Sequence, residues 1–134
     1  MNTGKLIVAT PSVIGDFNFH RSVVLLTNYK TSGSIGFILN KKLDYTLDEV
    51  MDGIYDKFPL YFGGPVEQDN LFYIHTLGDK ISNSIRISKS LYWNGDFKSV
   101  NNLLKKGKLN QENIRFFLGY SGWTKGQLEQ EIKV

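Results

Sequence analysis

Ile114-Arg115-Phe116-Phe117-Leu118-Gly119-Tyr120-Ser121-Gly122-Trp123 is the stretch from which the fold is read. Apart from one arginine, its first five residues are apolar, and with the aromatic that follows Gly119 they mark a buried strand over 114–120. Glycines at 119 and 122 then free the backbone, so 119–123 reads as a turn after that strand, with Trp123 packing against it. A second glycine-rich motif, Gly63-Gly64-Pro65-Val66, follows the apolar residues 60–62. Two permissive residues and then one held at φ of about −65° define a sharp, rigid exit from a sheet. The alternative reading is that the exposed amides of this turn form a small anion-binding nest.

Upstream of these motifs, 5–9, 22–29 and 35–39 are rich in β-branched and aromatic residues and read as strands. The loop 30–34 has the length and the glycine of a hairpin, so the second and third of these strands are expected to pair antiparallel. Thr46-Leu47-Asp48-Glu49 has capping-box spacing and opens a short helix through about residue 54, before Pro59. Strands over 60–62 and 71–76 follow, the latter after the turn residues Gln68-Asp69-Asn70. The alternation in Ser84-Ile85-Arg86-Ile87-Ser88 predicts a half-exposed strand.

The clearest helix starts at Asp96 as N-cap, carries Phe97, Val100, Leu103 and Leu104 on one face, and ends in lysines with Gly107 at a left-handed C-cap. A second capping box, Thr124-Lys125-Gly126-Gln127, opens a helix with Leu128 and Ile132 on one side. Strands and helices interleave without strict βαβ alternation. The fold class is therefore α+β, a mixed, curved sheet with a few packed helices, in one domain over residues 1–134.

At 134 residues the chain is long enough to bury a core without stapling, and its 41% hydrophobic and 22% charged content argues against disorder. No cysteine is present, which excludes disulfides, thiolate catalysis and cysteine-based metal sites and suits a reducing compartment. With no secretory signal visible, a cytoplasmic location is expected. Apolar stretches such as 23–26 fall far below the ~20 residues of a membrane span. A charge of +3 is mildly basic, but the lysines are scattered apart from Lys41-Lys42 and Lys105-Lys106-Gly107-Lys108, so no nucleic-acid stripe emerges.

Tests for specific chemistry fail one by one. Gly119-Tyr120-Ser121-Gly122 misses the Gly-x-Ser-x-Gly nucleophile elbow, because the second glycine arrives one position early. Phosphate-loop and dinucleotide fingerprints are absent. His20 and His75 have no partner at metal-ligand spacing and read as hydrogen-bonded structural residues. Asp16, Arg21 and Asn40 lie at strand edges, where a structural Asp–Arg pair is the expected arrangement. No catalytic residue, metal or cofactor is assigned.

In their order along the chain, Gly4-Lys5-Leu6-Ile7-Val8-Ala9-Thr10-Pro11, the run from Asp16 through His20-Arg21-Ser22 to Leu26, Gly36-Phe37-Ile38-Leu39-Asn40, Phe62-Gly63-Gly64-Pro65-Val66, Ile74-His75 and Phe117 to Trp123 followed by Gly126-Gln127-Leu128-Glu129 resemble the YqgE/AlgH family of bacterial proteins. The resemblance spans nearly the whole chain. It implies a cytosolic α+β fold with a barrel-like mixed sheet. Family members often have alanine where this chain has Ser121, and proline shortly after the position of Asn40, where this chain has Lys41-Lys42. They usually continue past the helix expected near Gln127, so the chain is expected to lack a C-terminal segment and to expose surface that could self-associate.

Some members carry a transcriptional-regulator label, yet no helix-turn-helix pattern is seen. The leading expectation is a non-enzymatic interaction or regulatory module. Asp16, Arg21, Asn40, Gly63, Gly64, His75, Tyr120, Trp123 and Gln127 would line or support one surface for a protein or small-molecule partner. The alternatives are a small-ligand enzyme with His75 or Asp16 as general base and a direct DNA-binding regulator.

Overall fold

The computed structural model describes residues 3–8, 22–30 and 33–124. Nine strands form one sheet: β1 (Leu6–Val8), β2 (Val23–Lys30), β3 (Gly33–Ile38), β4 (Lys42–Thr46), β5 (Pro59–Phe62), β6 (Val66–His75), β7 (Ile85–Arg86), β8 (Tyr92–Trp93) and β9 (Ile114–Thr124). Two helices, α1 (Leu47–Val50) and α2 (Phe97–Lys105), and a 3-10 turn at Gly78–Lys80 complete the described elements. The main path runs β1-β2-β3-β9-β6-β8-β7, with β4 on β5 and β5 on β9. The β5/β9 pair is parallel and every other pair is antiparallel. The result is the expected α+β class, a curled mixed sheet with two helices.

β2 and β3 pair antiparallel as expected, although the strands run through Lys30 and from Gly33 and so take up most of the loop expected over 30–34. Thr27 is the extra residue of a bulge between the Leu26↔Gly36 and Asn28↔Ile35 pairs, and its hydroxyl donates to the Ile35 carbonyl at 3.3 Å. At α2, Gly107 adopts φ +67°. Lys108 N–H donates to Leu103 O and Gly107 N–H to Leu104 O, the double bond of a Schellman cap. Val100 and Leu104 are buried, so α2 lays that face on the sheet.

Four readings are corrected. Residues 119–123 do not turn: β9 continues through them to Thr124, because β3 pairs with 121–124 and supplies the backbone partners a turn would otherwise need. Gln68-Asp69-Asn70 do not separate strands but lie inside β6, where the register against β9 shifts between Val66 and Leu71. Helix α1 stops at Val50 instead of reaching 54, since Met51 is extended and Gly53 takes φ +81°. Its capping box is nonetheless present, with Glu49 accepting from Thr46 N–H at 3.1 Å. The strand at 84–88 shrinks to two residues, Ile85 facing solvent and Ile87 the core. The helix expected after Thr124 lies outside the described residues.

Phe116 and Phe117 are both fully buried because the sheet is covered on both faces. Phe116 joins Leu47, Leu60, Tyr73, Val100 and Leu104 on the helix side. Phe117 joins Leu25, Phe37, Ile74, Ile87 and Trp93 on the other. Gly119, at φ +74°, resets the alternation, so that Tyr120 packs on the same side as Phe117. Truncating either phenylalanine to alanine is expected to cost about 3–5 kcal/mol.

Candidate functional site

The two glycine motifs meet in space, backbone against backbone. Gly63 N–H donates to Leu118 O at 2.9 Å, and Gly63 O accepts from Ile38 N–H at 2.9 Å and from the Ser121 hydroxyl at 3.0 Å. Gly63 thus sits where the neighbour of β9 changes from β5, opposite 116–118, to β3, opposite 121–124. A Cβ at Gly63 or Gly64 would fall well inside contact distance of the Gly119 or Tyr120 backbone. Both glycines are buried, and the Gly63 amide is committed to the strand, so this amide is not offered to an anion.

The remaining expected residues scatter. His75 is 1% exposed. Its Nε2–H donates to Asn94 O at 3.1 Å, and its Nδ1 accepts from Leu77 N–H at 3.2 Å. Both nitrogens are occupied, the ring stacks on Tyr92, and burial pushes its pKa below the ordinary value. Tyr120 donates to Glu67 across 3.2 Å, and burial first, then that carboxylate, pushes the phenol pKa up. Trp123 is buried with its ring against Gly36, and Asn40 accepts from Val23 N–H at 2.9 Å at the surface. Ser121 is fully buried. Gly63, Gly64, Tyr120 and Ser121 are together; Asn40 and Trp123 are elsewhere, and His75 lines a separate cleft at the other end of β9. Asp16, Arg21 and Gln127 lie outside the described residues.

A cleft of about 220 Å³ opens at the other end of β9. Buried Leu25, Ile74 and Phe117 form its floor, half-buried Leu39 and Leu91 its sides, and exposed Thr76, Gln111, Glu112 and Arg115 its rim. Strand pairing explains the grouping: Ile74 stands opposite Arg115, and Phe117 is two residues on along the same face of β9. Arg115 is held in place. Its guanidinium lies 4.4 Å from the centre of the Tyr61 ring, and its Nη1 donates to Leu39 O at 3.1 Å. The one ion pair among the described residues, Lys57 with Asp48, is elsewhere.

Sequence reading passed over Arg115. The signal was present, a single charge inside the apolar run 114–118. A larger recess, about 460 Å³, lies beside Met51, Leu71 and Phe97, with Asp69 as its charged group. Among the described residues no group of three or more His, Cys, Asp or Glu could hold a metal ion, and no helix is long and apolar enough to cross a membrane.

Fold and site together define a small α+β domain on a curled mixed sheet, with an apolar cleft rimmed by Arg115 and Glu112 and no assembled acid–base pair among the described residues. The chain belongs to the AlgH-like family, whose profile matches residues 6–134. It is 41% identical to a UPF0301 protein of Chlorobium limicola, over 99% of this chain and 71% of that one. It is 42% identical to a UPF0301 protein of Cytophaga hutchinsonii, over 99% and 74%. Among solved structures it is similar to the AlgH protein of Pseudomonas aeruginosa, at TM-score 0.76 and 26% identity over 95% of this chain and 70% of the other. A protein from Corynebacterium diphtheriae shares the fold at TM-score 0.78 and 24% identity, over 99% and 72%.

Proposed function

We propose that the protein is a non-catalytic, cytoplasmic binding module whose ligand site is the cleft beside Arg115, and that it regulates through what it binds there. The observation that carries this reading is the fixed guanidinium at the rim of an apolar recess, a few convergent polar groups over a hydrophobic floor. The candidate bases support it by default. His75 has no free nitrogen and so is not poised to take a substrate proton, and the Ser121 hydroxyl donates to Gly63 O and is not free to act as a nucleophile; Asp16, the other candidate base, lies outside the described residues.

A DNA-binding role gains less support: α1 has four residues, and α2 spends Val100 and Leu104 on the sheet. The test is a fragment collection added to methyl-labelled protein and followed by NMR. The reading expects shifts at Leu39, Ile74 and Leu91 with every fragment recovered unchanged. Chemical conversion of a fragment, or binding confined to the recess beside Met51 and Phe97, would overturn it.

A further inference from the structure

Building on the cleft as a ligand site, we infer that its ligand is a medium-chain alkyl monocarboxylate, its chain on Leu25, Ile74 and Phe117 and its carboxylate on the Arg115 guanidinium. Arginine carries five N–H donors in a planar fork. One bond to Leu39 O uses part of that fork, and the stack on Tyr61 fixes its plane, so the side chain is ordered before any ligand arrives. No carboxylate among the described residues lies within 4.0 Å of it. A ligand carboxylate would therefore meet a cation already oriented and, among the described residues, not neutralised by a salt bridge, and could form a charge-assisted pair with it.

The volume limits the rest. About 220 Å³ equals the liquid volume of roughly seven waters and lies under the ~300 Å³ at which drug-sized sites begin. The recess thus suits a few methylenes and not a fused-ring or nucleotide ligand. Glu112 on the same rim opposes an anion, which gives the assignment a second, opposite lever.

The experiment titrates octanoate, octanol and octylamine into the full chain, reading Ile74 and Leu91 methyl resonances. Octanoate is expected to bind best and octylamine worst, with affinity rising about fourfold per methylene from butyrate upward until the cleft is full. Arg115→Met, which keeps the aliphatic stem, should weaken octanoate about tenfold and leave octanol unchanged. Glu112→Gln should tighten octanoate. Added salt should weaken octanoate alone in the unmodified protein, a readout that needs no variant. Equal binding of octanoate and octanol at these methyls would overturn the carboxylate assignment and leave the cleft as a binding site. Failure of all three to shift them would overturn both.

Discussion

The carbonyl oxygen of Gly119 occupies the space that a side chain at Gly63 would need. The two residues are 56 apart in sequence yet lock β5, β3 and β9 together at one point. Neither backbone can withdraw, because Gly63 is hydrogen-bonded to Leu118 and Ile38.

Gly63→Ala is therefore expected to destabilise by about 3 kcal/mol or more, at the upper end for overpacking, because the added methyl meets the Gly119 main chain first and then the fully buried Phe37 ring. Gly53→Ala is the control. Position 53 has φ +81° and open space around it, so only the left-handed backbone resists alanine, at about 1 kcal/mol. Urea unfolding of both variants checks the contrast.

Ser121→Ala should behave as a structural change of modest size. Its hydroxyl donates to Gly63 O, which keeps its second bond from Ile38 N–H, so the expected cost is about 1 kcal/mol. Octanoate binding should be unaffected, since Ser121 does not line the cleft. A variant of native stability that loses binding would contradict this placement.

His75 makes stability depend on pH. Its folded pKa is lowered from the ordinary 6.5 chiefly by burial, so the unfolded chain binds the proton more readily. The stabilisation is complete above pH 6.5 and is lost as pH falls from there through the folded value, with a slope of at most about 1.4 kcal/mol per unit for one group. Chemical denaturation between pH 5 and 8 should show this slope in the native protein, and His75→Gln should flatten it while lowering stability at pH 8.

Local pattern revealed those parts of the fold that local chemistry determines. The β2/β3 hairpin, the α2 helix with its Gly107 cap and the Thr46 capping box were all legible, because each is specified within about ten residues. The course of β9 was not. Gly119 and Gly122 look like turn residues by composition, whereas Gly119 is required where the Gly64 carbonyl crosses close by, a contact made from the other half of the chain. The cleft was illegible for the same reason. Arg115, Tyr61, Leu39 and Leu91 come from four separate segments, and only strand pairing brings them together. That His75 is hydrogen-bonded was legible, but its partners Asn94 and Leu77 could not be named from sequence.

Filling the cleft beside Arg115 decides whether it is the ligand site. Leu91 is half-buried on its side, so Leu91→Trp can place an indole in the recess without entering the core. Calorimetric titration of this variant with the fragments that bind the native protein should show binding lost and the unfolding midpoint unchanged. Full-strength binding in a folded Leu91→Trp protein would place the ligand site elsewhere.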